Sequence, residues 1–393
     1  FRFTDVGTMR KNPVIELPVV LILTDEGEYF FNQRHRTLEY AARTSNVGAD
    51  GLVLNAYSAK TLQRLIHAGY ISRIEITRAD FTSKRNQILD LAKLIAYGVL
   101  FREYSIKLGK ELKETPIVAN WNRKNPSKAL NPSNITRHAL REGEQVKNVE
   151  VLQEVQKEVI QEIFSLHEAD LKGYSSEEMQ MLNYKAANFM QQLNPVIWAL
   201  MAQQRGTSVF SQTVRAMESI VWQFLSKANI ADYLALLVLE LVTQAEKSLM
   251  EEVVQTYLKG RIELDHFMKN RNDRLKVLQS LSDHNKMATL SWKIQARRGA
   301  MSDSSPFQIM LYNRSIEHEN IRRELEDKKN LKTDGKALSE FYEQLPGESE
   351  DQLGLYYLTY LQEECKRQGT LFDSYVNFID QHNLTFITLS IRF

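Results

Sequence analysis

Histidine and cysteine are the side chains most often used as metal ligands and nucleophiles, and their spacing in this chain favours neither role. The eight histidines are scattered, and no two of them show the His-x-x-x-His or His-Glu-x-x-His spacing that places two zinc ligands on one helix face. The single cysteine, Cys365, lies in the charged stretch Glu-Glu-Cys-Lys-Arg. There is no Gly-x-Gly-x-x-Gly or Walker-type phosphate loop. We therefore expect no metal site, and we expect Cys365 to be a bystander.

Three segments in the C-terminal part hold polar residues in a more informative order. They are Leu-Leu-Val-Leu-Glu240-Leu-Val-Thr-Gln244-Ala, then Ile-Met-Leu-Tyr-Asn313-Arg-Ser315, and finally Asp-Gln352-Leu-Gly354-Leu-Tyr. Taken together, these segments resemble the nucleotide-binding boxes of the histidine-kinase-type ATPases, which have the Bergerat fold. The resemblance covers about Asp232 to Phe393, or two-fifths of the chain.

The resemblance implies a role for each of these positions. In the family, the glutamate that corresponds to Glu240 assists a water molecule, and an asparagine one turn later ligates magnesium where this chain has Gln244. The second box holds an aspartate that accepts a hydrogen bond from adenine and a glycine that lets the backbone approach. This chain has Asn313 and Ser315 there. The third box is a glycine-rich loop whose N–H groups hold phosphate oxygens, and only Gly354 matches it.

The departures from the family pattern predict a fold that is retained without ATP turnover. Glu350 and Gln352 occupy the glycine positions before Gly354. A carboxylate beside phosphate opposes binding by roughly a few kcal/mol in a partly buried site. We therefore expect no cofactor, and ATP and magnesium only if the pocket still functions. In that case Glu240 would be catalytic and Gln244 would ligate the metal; otherwise Glu240 belongs to an exposed turn of a core helix.

A histidine kinase would also need a phosphoacceptor histidine beside a glutamate. His167 precedes Glu168 on a predicted helix, which makes it the better candidate. His266 follows Asp265, which reverses the order found in the family. Neither histidine has the threonine, proline and apolar residues that normally follow, so an ordinary surface histidine is the main alternative.

Composition limits the class of protein. The 393 residues include 50 Lys and Arg against 49 Asp and Glu, a net charge of +1, whereas dedicated nucleic-acid-binding proteins usually have a basic surplus. No stretch approaches the roughly 18–20 apolar residues of a membrane-spanning helix. A single cysteine also excludes an internal disulfide framework. We therefore predict a cytoplasmic protein that binds neither nucleic acid nor a membrane.

Residues 1–114 are predicted to form a parallel α/β module. The apolar runs Pro18–Thr24, Leu52–Leu54 and Ile71–Ile76 have the length of buried strands and alternate with helical stretches. Strand, helix and strand in succession are typical of a parallel sheet with crossover helices.

The same strands resemble the late half of a receiver domain. Thr24 lies at that family's hydroxyl switch position, but Asn55 occupies the position of its lysine. Asp5 is the only candidate phosphoacceptor that precedes them. Any other small parallel-sheet domain would give a similar pattern.

Residues 115–145 are predicted to form a linker, because Pro116, Pro126 and Pro132 lie among many asparagines that favour turns. Residues 146–231 are predicted to be helical, with breaks near Gly173, Asn194-Pro195 and Gly206. Apolar residues at helical spacing predict packing within the chain, and a dimerising bundle that would make the protein a homodimer is the alternative.

Residues 232–393 complete the predicted architecture as the degenerate ATPase-like module. The fold class is therefore α/β plus α, with an N-terminal parallel module, a helical middle and a C-terminal α/β sandwich of Bergerat type. We expect a signalling or scaffold protein that acts by binding a protein partner. The alternatives are an active ATP-binding atypical kinase or ATPase, and a purely structural helical adaptor.

Overall fold

Strands from both ends of the chain form one eight-stranded sheet in the computed structural model. The described residues are 14–33, 40–41, 51–135, 149–191, 193–258, 270–283, 287–294, 306–313, 318–329, 356–379 and 384–393. The strands of this sheet are β2 (Val19–Leu23), β3 (Tyr40–Ala41), β4 (Gly51–Leu54), β6 (Ile71–Arg78), β7 (Ala288–Lys293), β8 (Phe307–Asn313), β9 (Leu371–Ile379) and β10 (Leu384–Arg392). Their order is β3-β4-β2-β6-β7-β8-β10-β9, while β1 (Val14–Ile15) and β5 (Tyr57–Ser58) form a separate pair.

The chain divides into two units by its internal contacts. Unit 1 comprises Phe1–Ala96 and Ile230–Phe393, and unit 2 comprises Tyr97–Asn229. Unit 1 holds the sheet and α1 (Asp25–Gln33), α2 (Ala59–His67), α11 (Arg271–Asp283), α12 (His318–Lys329) and α13 (Tyr356–Arg367). Unit 2 holds α4 (Pro116–Lys124), α5 (Pro132–Ile135), α6 (Val149–Leu166), α7 (Glu168–Leu171), α8 (Ser176–Met190) and α9 (Pro195–Gln203). The long helices α3 (Arg85–Lys113) and α10 (Ser208–Leu258) contribute residues to both units. None of the described helices is both long enough and apolar enough to cross a membrane.

The core of unit 1 lies on one face of the sheet. Because side chains alternate along a strand, the register brings Ile74, Trp292 and Ile309 into one row across β6, β7 and β8. All three side chains are buried, as are Leu237 and Leu241 of α10. Burial of each such side chain contributes roughly 1.5–3 kcal/mol, so this face of the sheet and the apolar stripes of the helices stabilise the unit.

The pairing of the described strands is antiparallel throughout, so the prediction of a parallel N-terminal sheet is wrong. The predicted strands do form, as β2, β4 and β6, but β2 runs antiparallel to both of its neighbours. An apolar run indicates a strand that is buried on both faces and carries no information about the direction of the next strand. Because β6 also pairs with β7, the N-terminal and C-terminal strands share one sheet.

The helix boundaries of unit 2 follow the sequence signals, and the predicted breaks are confirmed. Gly173 and Gly206 have φ values of +105° and +72°, in the left-handed region that glycine adopts most readily. Asn194 caps α9, with its side-chain oxygen accepting a hydrogen bond from the N–H of Val196 at 3.0 Å. Pro195 follows as the first residue of that helix.

The segment predicted as a linker begins with a helix. Pro116 is the first residue of α4, where its fixed φ is suitable and its missing N–H has no partner to lose. Pro126 begins a 3₁₀ turn that ends at Lys128, and Pro132 begins α5. The described part of this segment, which ends at Ile135, therefore contains helices of its own, and the helices α3 and α4 end at Lys113 and Lys124, just before Pro116 and Pro126. Residues 136–145 lie outside the described residues.

Candidate functional site

Glu240 and Gln244, the predicted nucleotide-pocket residues on α10, lie one helical turn apart as the sequence predicts. Glu240 Oε1 accepts a hydrogen bond from Nη2 of Arg85, the first residue of α3, at 3.0 Å. The Glu240 side chain is only 13% exposed and that of Arg85 is 50% exposed. Glu240 is therefore a partly buried ion-pair partner inside α10, and the alternative that it lies on an exposed turn is wrong.

The structure describes one other residue of the predicted pocket. Asn313 is the last residue of β8 and pairs in register with Thr385 of β10. Ser315, Gln352 and Gly354 lie outside the described residues. Within the described part of the chain, the predicted magnesium position is therefore Gln244 on a helix, and the predicted adenine position is Asn313 at the end of a strand.

A second acidic residue of α10, which the sequence analysis did not single out, has a more elaborate environment. The Glu246 side chain is fully buried. Its Oε2 accepts hydrogen bonds from the N–H groups of Phe81 and Thr82, at 2.6 and 2.7 Å, and from Thr82 Oγ1 at 2.9 Å. Its Oε1 accepts from Nη2 of Arg274 at 2.6 Å. Burial raises the pKa of Glu246, and the hydrogen bonds from Thr82 and the charge of Arg274 oppose that increase.

Asp80, which lies between β6 and α3, extends this network. Its Oδ1 accepts from the N–H of Ser83 at 3.0 Å and from Nη2 of Arg274 at 2.8 Å. We refer to Asp80, Phe81, Thr82, Glu246 and Arg274 together as the Glu246 anchor. Its donors occupy both carboxylate oxygens of Glu246, so the anchor fixes the chain between β6 and α3 to α10 and α11.

A sequence signal for the anchor does exist. Glu246 falls among the buried α10 residues Leu239, Val242, Leu249 and Val253, which recur at helical spacing and mark one helix face. An acid within such a stripe must be paired when buried, because an unpaired buried charge is costly. The partners themselves come from distant segments that this signal does not identify.

A row of polar side chains crosses the face of the sheet opposite the apolar row. Glu75 of β6 lies opposite Ser291 of β7, and Ser291 Oγ donates to Glu75 Oε1 at 3.3 Å. Arg73 contributes an N–H to the same oxygen at 3.4 Å. Thr77 and Thr289 are joined through their hydroxyls at 2.9 Å. The contacts of Ser291 and Thr289 are cross-strand contacts that hold β6 to β7, whereas Arg73 lies on β6 itself, and Ser291 and Arg73 together satisfy the buried Glu75 carboxylate within the chain.

His167, the candidate phosphoacceptor, lies in unit 2 with both ring nitrogens engaged. Nδ1 is 3.1 Å from Oδ2 of Asp170, and Nε2 contacts Oε1 of Glu218 on α10. The imidazole also stacks on the indole of Trp222, with ring centroids 3.9 Å apart and planes 7° apart. Phosphorylation at either nitrogen would require one of these contacts to break, so the geometry favours a structural role.

The described residues contain neither a candidate nucleophilic cysteine nor a candidate metal site. The Cys365 thiol is buried in α13, away from the surface that a nucleophile needs. Within the described ranges, no three His, Cys, Asp or Glu side chains are grouped so that they could hold a metal ion.

Comparison with known proteins finds similarity along almost the whole chain. A family model described as "Family of unknown function (DUF8084)" matches residues 10–393. An uncharacterized protein of Treponema pallidum (strain Nichols) is 27% identical over 396 residues, which covers 99% of this chain and 100% of that protein. No solved structure matches the chain significantly. The similarity thus includes residues of both units.

Proposed function

The chain belongs to the family of unknown function DUF8084, and we propose that it is a cytoplasmic signalling or scaffold protein that acts by binding a protein partner. In this proposal the C-terminal part is a histidine-kinase-like ATPase fold of Bergerat type that has lost ATP turnover. The proposal treats α10 as a helix whose acidic residues now hold the protein together.

The ion pair between Arg85 and Glu240 is the observation that carries the proposal. A general base must present a free oxygen to the water whose proton it takes. The guanidinium of Arg85 lies 3.0 Å from Oε1 of Glu240, so this oxygen is already occupied by the chain. Glu246, six residues later, is likewise bound by donors from the anchor. Both described carboxylates of this helix segment therefore contribute to structure.

Exposed apolar side chains on unit 2 support the binding part of the proposal. Those among the described residues are Ile106, Val151, Leu166, Tyr174, Met181 and Tyr184. Met181 and Tyr184 are three residues apart on α8, so they lie side by side on one helix face. A protein partner with an apolar surface would bury these two side chains, and neither contributes to the core of unit 2.

Titration calorimetry with ATP and magnesium tests the loss of turnover. We expect no binding heat at protein concentrations of about 50 µM, where a dissociation constant in the micromolar range gives a clear signal. Arg85→Ala removes the guanidinium that contacts Oε1 of Glu240, and Arg322→Ala on α12 is the matched control because Arg322 also pairs with a glutamate. Micromolar binding with slow hydrolysis by the wild-type chain would instead establish the alternative, an active ATP-binding protein.

Cross-linking and affinity purification of the tagged protein from its own cells test partner binding. Tyr184→Asp should remove the specifically bound protein, because a charge on α8 cannot be buried in an apolar interface without a partner. Tyr29→Asp, at an exposed tyrosine of α1 in unit 1, is the control and should retain it. Retention by both variants would exclude α8 as the binding surface.

A further inference from the structure

Strand β9 forms one edge of the eight-stranded sheet. Its neighbour on one side is β10, which pairs with all nine of its residues, and none of the described strands pairs with its other side. Three side chains on one of its faces are apolar and exposed: Leu371 at 65%, Tyr375 at 40% and Ile379 at 39%. Edge strands are usually protected by charged side chains, proline or a bulge; β9 has no proline or bulge, and Asp373 is its one charged residue.

The sequence of β9 is nearly symmetric about its central residue, Tyr375. Moving outward from Tyr375, the paired positions are Ser374 and Val376, Asp373 and Asn377, Phe372 and Phe378, and Leu371 and Ile379. Three of these four pairs match in chemistry, since they join apolar with apolar, phenylalanine with phenylalanine, and an acid with an amide. Pairing with β10 does not require this symmetry, because the sequence of β10 is not symmetric in the same way.

We infer that two copies of this chain pair along β9, antiparallel and about a two-fold axis through Tyr375, so that their sheets become continuous. A two-fold interface brings each residue of the strand opposite its symmetric counterpart in the second copy. Leu371 then faces Ile379, Phe372 faces Phe378, and the two Tyr375 rings meet at the axis. Cross-strand aromatic and apolar pairs of this kind stabilise antiparallel strands.

The polar pair fits the same register. Asp373 Oδ1 accepts a hydrogen bond from the N–H of Ser374 at 2.8 Å within the single chain. In the paired strands the Asp373 carboxylate faces the side-chain amide of Asn377, which can donate to it, and the Ser374 N–H becomes available to the ladder. A shift of register would place Asp373 beside an apolar side chain, so this pair favours the register centred on Tyr375.

Disulfide trapping tests the register. The variants are made in a Cys365→Ala background. Tyr375→Cys places the new cysteine of one copy opposite the same cysteine of the second copy, with the two Cα atoms about 4.5–5.5 Å apart, a distance that suits a disulfide. Asp373→Cys is the matched control, because the two copies of that position would lie roughly 13 Å apart along the strands. We expect at least about tenfold more covalent dimer for Tyr375→Cys than for Asp373→Cys. Equal trapping of the two variants would overturn the inference.

Sedimentation velocity tests the dimer itself. The wild-type chain should show a dimer fraction that rises between about 1 and 100 µM, a range suited to an interface of moderate size. Tyr375→Lys places two like charges opposite each other and should weaken dimerisation at least about tenfold. Tyr29→Lys on α1, at an exposed tyrosine outside β9, should leave it unchanged. A wild-type monomer at the highest concentration, or a dimer lost only with Tyr29→Lys, would overturn the inference.

Discussion

Nη2 of Arg274 lies 2.6 Å from Oε1 of Glu246, in a pair whose carboxylate is fully buried and whose guanidinium is 20% exposed. The two residues come from α11 and α10, and the same carboxylate holds the amides of Phe81 and Thr82 ahead of α3. One side chain therefore links three segments of unit 1. Loss of this side chain leaves several donors buried without an acceptor.

Glu246→Ala should destabilise the protein by about 3–5 kcal/mol, the cost of removing one partner from a buried ion pair. The cause is the loss of the acceptor for the N–H groups of Phe81 and Thr82 and for the Thr82 hydroxyl, while the Arg274 guanidinium keeps Asp80 but loses its buried partner. The free energy of unfolding from urea titration measures this loss. Glu326→Ala on α12 is the matched control, because Glu326 forms an exposed pair with Arg322, and it should cost less than about 0.5 kcal/mol. Similar losses for the two variants would contradict the role assigned to the anchor.

Leu237→Ala should cost about 2–5 kcal/mol of unfolding free energy, because it opens a cavity at a fully buried position of α10. Leu236, its neighbour, is only half-buried, so Leu236→Ala should cost clearly less. Because both substitutions remove the same atoms from the same helix, helix propensity cancels in the comparison. Equal costs would mean that α10 does not pack through the face that contains Leu237.

Local sequence signals were sufficient to predict most individual elements of the fold. Ser58 accepts a hydrogen bond from the N–H of Thr61 and caps α2, and a serine directly before a helical stretch is a signal that can be recognised in the sequence. The apolar runs become β2, β4 and β6. Partners that lie far apart in the sequence were not predictable in this way. The pairing of β6 with β7 joins distant parts of the chain, and neither strand's sequence encodes the identity or direction of its partner.

The candidate site shows the same division between local and distant information. The helical spacing of Glu240 and Gln244 was correct because it depends only on α10. The ion pair of Glu240 with Arg85 was not predicted, because it depends on how α3 begins beside α10. The Glu246 anchor was missed for a related reason. Its acid lies in an apolar stripe that can be recognised, but its donors come from two other segments.

The pairing of His167 with Glu218 should show a coupling energy of about 0.5–2 kcal/mol in a double-mutant cycle of His167→Gln and Glu218→Gln. Coupling of His167 with Asp170 should be smaller, because the Asp170 side chain is 64% exposed and that of Glu218 only 23%. Urea unfolding at pH 6 supplies the free energies. Trp222 fluorescence reports whether the stacked ring is displaced. A stronger coupling to Asp170 would contradict the geometry.

Tyr104 provides a test of alkaline stability in unit 2. Its side chain is fully buried against Phe224, and its hydroxyl has no hydrogen-bond partner among the described residues. Burial raises the pKa of Tyr104 to about 12, and the Glu103 carboxylate adds to the increase. A raised pKa contributes stability that is complete below about pH 10, the value for an unfolded tyrosine, and is lost as the pH rises through 12.

Tyr104→Phe should therefore change stability little at pH 8, because the hydroxyl that it removes makes no hydrogen bond there. Between pH 10 and 12, wild type should lose about 2 kcal/mol more unfolding free energy than the variant, because the Tyr104 phenol ionises in the unfolded chain over this range while it stays neutral in the folded protein. Lysines and the other tyrosines titrate in both proteins, so their contributions cancel in the difference. Tyr174→Phe, at an exposed position, is the control and should track wild type at every pH. A constant difference between wild type and Tyr104→Phe over this range would show that the buried phenol does not resist ionisation.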